Sequence, residues 1–130
     1  MASRIGNTCI DCADPYLLAQ FWSIALDRPM GPDDRPEADE AGIALDDDGG
    51  ELLFLRVPEP KAVKNRMHLC LIPEQPRDAE LARLVDAGAS LVNDLRQDDG
   101  TGWVVLGDPE GNEFCVLRSD AERAVTQNAE

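Results

Sequence analysis

The sequence predicts an α+β fold assembled from two related halves. Three observations predict it. The order strand, helix, then three strands can be read twice along the chain. Two short segments echo each other across the halves: Asn7-Thr8-Cys9-Ile10 aligns with His68-Leu69-Cys70-Leu71, and Gly50-Glu51-Leu52-Leu53-Phe54-Leu55-Arg56 aligns with Asn112-Glu113-Phe114-Cys115-Val116-Leu117-Arg118. The length, 130 residues, suits one ordinary domain, and neither half alone is long enough to bury both faces of a small sheet. Two such halves packed together can form a trough whose inner strands line a cavity.

Arg4 to Cys12 alternates loosely around Ile5, Thr8, Cys9 and Ile10 and is expected to be a strand. Asp14-Pro15 opens a helix, because the carboxylate can cap free N–H groups and proline at the first helical position sacrifices no hydrogen bond. Leu17, Leu18, Phe21, Trp22, Ala25 and Leu26 recur at helical spacing as an apolar stripe. At ~25 cal/mol per Å² its burial contributes several kcal/mol, more than the cap does. The helix ends before Arg28-Pro29, since the residue ahead of proline avoids the helical region. Met30 to Ala41 reads as turn and loop with a short edge strand near its start. Gly42 to Leu45 is a strand, Asp46 to Gly50 a hairpin turn, and Glu51 to Val57 a strand.

Residues 58–66 form a stiff joint, beginning Pro58-Glu59-Pro60-Lys61, too short to separate independently folded domains. The second half then gives a strand at Met67–Ile72 and a helix at Pro76–Ala87 with Leu81, Leu84 and Val85 inward. Gly88 stands where a left-handed helix end wants it. Strands follow at Ala89–Leu95, Trp103–Leu106 and Glu113–Arg118, with turns at Gln97–Gly102 and Asp108–Asn112. Residues 119–130 read as a tail or a surface helix. The expected plan is a single domain over 1–118, with module one at 1–57, the joint at 58–66 and module two at 67–118.

Charge restricts the partners. Twenty-six acidic residues face 12 basic ones, for a formal net charge of −14. That field repels phosphate backbones and anionic lipid, so neither nucleic acid nor a membrane is expected, and a neutral or cationic small molecule suits it better. Much of the acidity lies between Asp33 and Glu51 and reads as a solvated loop. Met1-Ala2-Ser3-Arg4 leads straight into a strand-like run with no leader pattern, and no apolar run approaches the roughly 20 residues a membrane span needs. A cytoplasmic location with four reduced cysteines is the expectation. Cys9 and Cys12 spell C-x-x-C, but residues three apart on a strand point to opposite faces, so the pair is not read as a chelate. Lys64 and Arg66 read as a solvated linker, and both tryptophans as packing residues, with Trp103 at the mouth of the cavity.

Three segments together carry a resemblance: Asp11-Cys12-Ala13-Asp14-Pro15 with Leu18-Ala19-Gln20-Phe21-Trp22; Lys64-Asn65-Arg66-Met67-His68-Leu69; and Asp108-Pro109-Glu110-Gly111-Asn112-Glu113-Phe114-Cys115. Over nearly its whole length the chain resembles the vicinal oxygen chelate superfamily, in its glyoxalase-like and bleomycin-resistance-like branch. The resemblance implies two βαβββ modules forming a cupped, barrel-like mixed sheet around a pocket, and often a homodimer.

Members that bind a divalent ion do so through His, Gln or Glu on the first and last strand of each module. Those positions carry over to Asn7, Leu53, His68 and Cys115. Only His68 is a ligand of the family type. Leu53 has no lone pair, Asn7 is a weak neutral donor, and Cys115 puts a soft thiol where a carboxylate is usual. No cofactor is therefore expected; a divalent ion, if held, would take His68, Asn7 and Cys115. Strand parity adds Cys70 to the face of His68 and Cys9 to that of Asn7. The implied pocket is thus lined by Asn7, Cys9, Leu53, Cys70, Trp103 and Cys115, with His68 as the catalytic candidate.

The leading functional reading is a glyoxalase-like protein that binds a small organic molecule without a native metal. It would sequester that molecule or act on it with His68 as acid or base. The alternatives are a metal-dependent lyase or isomerase of glyoxalase type, and a dimeric interaction module with a vestigial pocket.

Overall fold

The computed structural model describes residues 1–46 and 50–126. Its elements run β1 (Asn7–Cys12), α1 (Pro15–Leu26), β2 (Glu40–Ala44), β3 (Glu51–Arg56), β4 (Cys70–Leu71), α2 (Arg77–Ala87), β5 (Ser90–Asp94), β6 (Val104–Gly107), β7 (Glu113–Val116) and α3 (Asp120–Thr126). The chain is α+β and divides into two compact units, Met1–Ala62 and Val63–Glu130, the division falling within the residues of the predicted joint. Among the described residues no helix is long and apolar enough to cross a membrane.

In the first unit the sheet order is β1-β3-β2, with β1 parallel and β2 antiparallel to β3. Asp14 caps α1 as expected: its Oδ1 accepts from the Leu17 N–H at 3.2 Å. Asp27, in a left-handed conformation, ends the helix before Pro29, and the Arg28 N–H returns to the Ser23 carbonyl at 3.1 Å. The helix buries Leu18, Ala19, Phe21, Trp22 and Ala25 and packs on β2 and β3, where Ile43, Leu52 and Phe54 are fully buried. Phe21 and Trp22 meet edge to face, with ring centroids 5.4 Å apart. Leu17, expected in the stripe, is exposed; the buried positions 18, 21, 22 and 25 set the inward direction, and position 17 lies a further 100° round the helix.

The edge strand expected near Met30 is a single bridge, Met30↔Ile43. The hairpin turn from Asp46 to Gly50 lies largely outside the described residues, although the Leu45 N–H closes it by donating to the Gly50 carbonyl at 2.8 Å.

In the second unit the order is β4-β7-β6-β5, with β4 parallel to β7 and the other pairs antiparallel. This is the first unit's pattern with the Met30 bridge lengthened into a full strand. Val104 lies in register with Val116 and Leu106 with Phe114, and all four are buried. The strand expected over Met67–Ile72 is only Cys70–Leu71, because Pro73 has no N–H to donate and the chain bends at Arg66 and Met67. Gly88 ends α2 as its sequence position foretold, with a positive φ of 128° that lies outside the left-handed helical region expected there.

The inward face of α2 differs from expectation. Leu84 is buried and Leu81 half-buried, but Val85 is exposed, and the buried stripe is completed by Arg77 and Glu80. Arg77 donates to the Gly102 carbonyl at 2.7 Å and the Gly100 carbonyl at 3.3 Å, so α2 holds the 97–102 turn through a guanidinium. The tail contains α3, whose start is closed by the Ser119 hydroxyl accepting from the Glu122 N–H at 3.2 Å; residues 127–130 lie outside the described part.

Candidate functional site

Parallel pairing of β4 with β7 places Cys70 opposite Cys115 and Leu71 opposite Val116. The ladder is fixed by the Cys115 N–H donating to the Leu69 carbonyl and the Leu117 N–H donating to the Leu71 carbonyl, both at 2.9 Å. With Leu69 held, the residues on either side of it fall on one side of the strand by the two-residue repeat. The donor atoms of His68, Cys70 and Cys115 all lie within 4.8 Å of one another. His68 and Cys70 are exposed and Cys115 is 5% exposed. Val105 stands in register with Cys115 from the other side, and Trp103, 39% exposed, shares its parity.

A turn positions the segment that leads into this cluster. The buried Asp108 accepts from the backbone N–H groups of Glu110 (2.9 Å) and Asn112 (3.0 Å), while Gly111 takes φ 85°. Both Asp108 oxygens accept from the Asn112 amide nitrogen. That fixes the Asn112 amide oxygen, which accepts from Asn65 Nδ2 at 3.0 Å, while Glu113 Oε1 accepts from the Asn65 N–H at 3.0 Å. Asn65 is therefore the brace three residues ahead of His68. The sequence shows Asn65 within a segment that carries the resemblance but assigns it no role; no periodicity marks it, and only its paired polar partners 47 and 48 residues away give it one.

Burial first, and the neighbouring Cys70 thiol second, push the Cys115 thiol up to about 11, while the Lys64 ammonium pulls it the other way. Cys115 is thus a neutral thiol at pH 7. The same chemistry tests the ion site that the resemblance implies. Of its four carried-over positions, Leu53 offers no donor and Cys115 offers a protonated soft one, so the residues do not fit a hard oxygen-and-nitrogen divalent site.

The remaining predicted residues belong to the first unit. Asn7 is exposed at the start of β1 in register with Glu51, and the exposed Cys9 lies opposite the half-buried Leu53. Cys12 is buried, its thiol donating to the Leu55 carbonyl at 3.6 Å, so the C-x-x-C pair does split across the strand. The acidic loop borders an open concavity of about 440 Å³ lined by Asp33, Asp34, Arg35, Glu37, Ala38, Asp39 and Glu40. Asp34 is a structural group there, accepting from the Gly31 and Gly42 N–H groups at 2.9 and 3.1 Å.

A family model described as a glyoxalase-like domain matches residues 7–117. No curated protein matches the chain. Among solved structures it is similar to a glyoxalase-related enzyme from Fulvimarina pelagi (16% identity, TM-score 0.65, 89% of this chain and 88% of that one). It is also similar to a glyoxalase/bleomycin resistance protein/dioxygenase family enzyme from Burkholderia phytofirmans PsJN (17%, 0.63, 85% and 94%). A third is a glyoxalase/bleomycin resistance protein from Albidiferax ferrireducens T118 (19%, 0.61, 88% and 98%). At these identities the likeness is one of fold.

Proposed function

Since the chain belongs to the glyoxalase-like domain family, within the vicinal oxygen chelate superfamily, we propose that it binds a small organic molecule at the sheet face carrying His68. The observation that carries this reading is the gathering of His68 with Cys70 and Cys115 beside a ladder whose opposite face is packed with Val104, Leu106, Phe114 and Val116. One face builds the core, and the other presents an imidazole, an exposed thiol and the half-exposed Trp103. An imidazole can donate or accept a proton near neutrality, so His68 serves as the polar anchor, and as the acid or base if the bound molecule reacts. In that case a lyase or isomerase of glyoxalase type is the reaction class the family suggests. The net charge of −14 favours neutral or cationic ligands.

A homodimer is part of the proposal. Met67 and Ile72 flank β4 and Leu91 and Val92 lie on β5, the two opposite edges of the second sheet, and each is more than half exposed, apolar area that a second copy would cover at one edge or the other. Light scattering reads this directly, against a monomer of 14.2 kDa.

The test is a thermal-shift screen of small molecules, cationic antibiotics among them, on wild type and His68→Ala. A ligand that binds only the folded state must raise the melting temperature, and the His68→Ala variant should lose that rise. A ligand whose shift survives His68→Ala binds elsewhere and removes His68 from the role.

A further inference from the structure

We propose that His68, Cys70 and Cys115 form a site for a thiophilic cation of the zinc and cadmium type, built from the β4–β7 pair of the second unit and the segment that leads into β4. This does not rest on the small-molecule reading. It needs only the three side chains.

The geometry comes first. A tetrahedral zinc ion holds thiolate sulfurs at about 2.3 Å and imidazole nitrogen at about 2.0–2.1 Å, which sets ligand atoms about 3.5–3.8 Å apart. The three donor atoms here lie within 4.8 Å, so side-chain rotation of about an ångström closes the set. Two of the donors are exposed, which gives an ion a way in and argues against simple packing as the reason for Cys70. Three protein ligands leave a fourth position for water or a donor molecule.

The donor set decides which ion. Two thiols and an imidazole prefer soft or borderline ions, whereas magnesium, calcium and manganese seek carboxylate and carbonyl oxygen. The first unit supplies an internal comparison. At its equivalent positions stand Asn7, Cys9 and Leu53, and Cys9 faces Leu53 where Cys70 faces Cys115. The duplicated scaffold thus carries a soft triad in one copy and one thiol, one amide and one aliphatic chain in the other. Binding a divalent ion displaces one proton from Cys70 and one from Cys115 into solvent and moves no electrons.

The experiment is a titration of the reduced full-length chain with cadmium, followed by thiolate-to-cadmium charge-transfer absorption. One equivalent should saturate the band. Zinc should compete for it, and magnesium and manganese should not. Cys70→Ser and His68→Ala, both at exposed positions, should each weaken binding at least about tenfold. Cys9→Ser should leave the band intact. Melting curves recorded without metal check that the variants are folded. Absence of the band in wild type, a Cys70→Ser variant that binds like wild type, or an equal loss in Cys9→Ser would each overturn the proposal. An organic ligand found or missed in the thermal screen bears on neither outcome.

Discussion

Cys70 stands in register with Cys115 across the parallel pair β4–β7, exposed on one side of the pairing and buried on the other. The two thiols differ in environment although they touch the same space. Cys115 is pushed up to about 11, chiefly by burial, so near neutrality it holds about a hundredfold less thiolate than a thiol at the ordinary 9.0. Iodoacetamide under native conditions should therefore modify Cys9 and Cys70, both exposed, well before Cys12 and Cys115, both buried. Peptide mapping over a time course reads the order. Added zinc should slow Cys70 and leave Cys9 unchanged, which ties the reactivity pattern to the proposed cation site.

Asn65 anchors the approach to β4. Replacing it with Ala removes the bond from Nδ2 to the Asn112 amide oxygen and keeps the backbone bond to Glu113. A net loss of about 0.5–1.5 kcal/mol is expected from urea unfolding. Cadmium affinity should fall as well, because His68 is three residues downstream of the brace. Full affinity with reduced stability would show that Asn65 supports the fold without positioning the site.

Much of the architecture was readable in the sequence because it is duplicated. The echo aligns Cys9 with Cys70 and Leu53 with Cys115 across the halves, and the structure pairs each half alike, Cys9 in register with Leu53 and Cys70 with Cys115; the parallel sense of those pairings was not in the echo. Caps and turn chemistry were readable for the same local reason, as at Asp14, Gly88 and Asp108. What failed was what depends on distant partners. Nothing in Met67–Ile72 shows that only Cys70 and Leu71 would pair, since that is decided by bends beside Asn65 and by Pro73. Val85 was assigned inward by apolarity, yet Arg77 and Glu80 hold that face because the guanidinium satisfies carbonyls of the 97–102 turn. Parity put His68 and Cys70 on one face and the resemblance brought Cys115 to it; of the expected companions Asn7 and Cys9, neither is in the group that gathers around His68.

That turn contains two glycines whose substitution should differ sharply. Gly102 and Gly100 both take φ +90°, a conformation that costs an L-residue. A Cβ at Gly102 would lie 2.1 Å from the Leu95 carbonyl oxygen, whereas one at Gly100 meets only Arg118 Nη1 at 3.7 Å. Gly100→Ala should cost about 1–2 kcal/mol, the conformational penalty alone. Gly102→Ala adds a backbone collision and should cost about 3 kcal/mol or more, or leave the second unit unfolded. Comparable melting points for the two variants would mean that the backbone at Leu95 yields.

Glu80 is a buried carboxylate on α2 that accepts from Arg83 Nε and Nη2, each at 2.8 Å, and from Gln75 Nε2 at 3.0 Å. The Arg83 hydrogen bonds hold its carboxyl below the usual 4.5 against the opposing effect of burial. The sign follows from linkage. A group whose pKa is lower in the folded state stabilises that state above the unfolded value, and the gain disappears as pH falls through the folded value. Arg83 is partly in solvent, which limits the contribution to about 0.5–1 kcal/mol. Glu80→Gln should thus be less stable than wild type by that amount at neutral pH. The gap should shrink once the pH falls below 4.5 and close when the wild-type carboxyl is fully protonated. Urea midpoints of the two proteins across that range provide the measurement. A gap that stays constant with pH would mean that the carboxylate acts through packing and not through its charge.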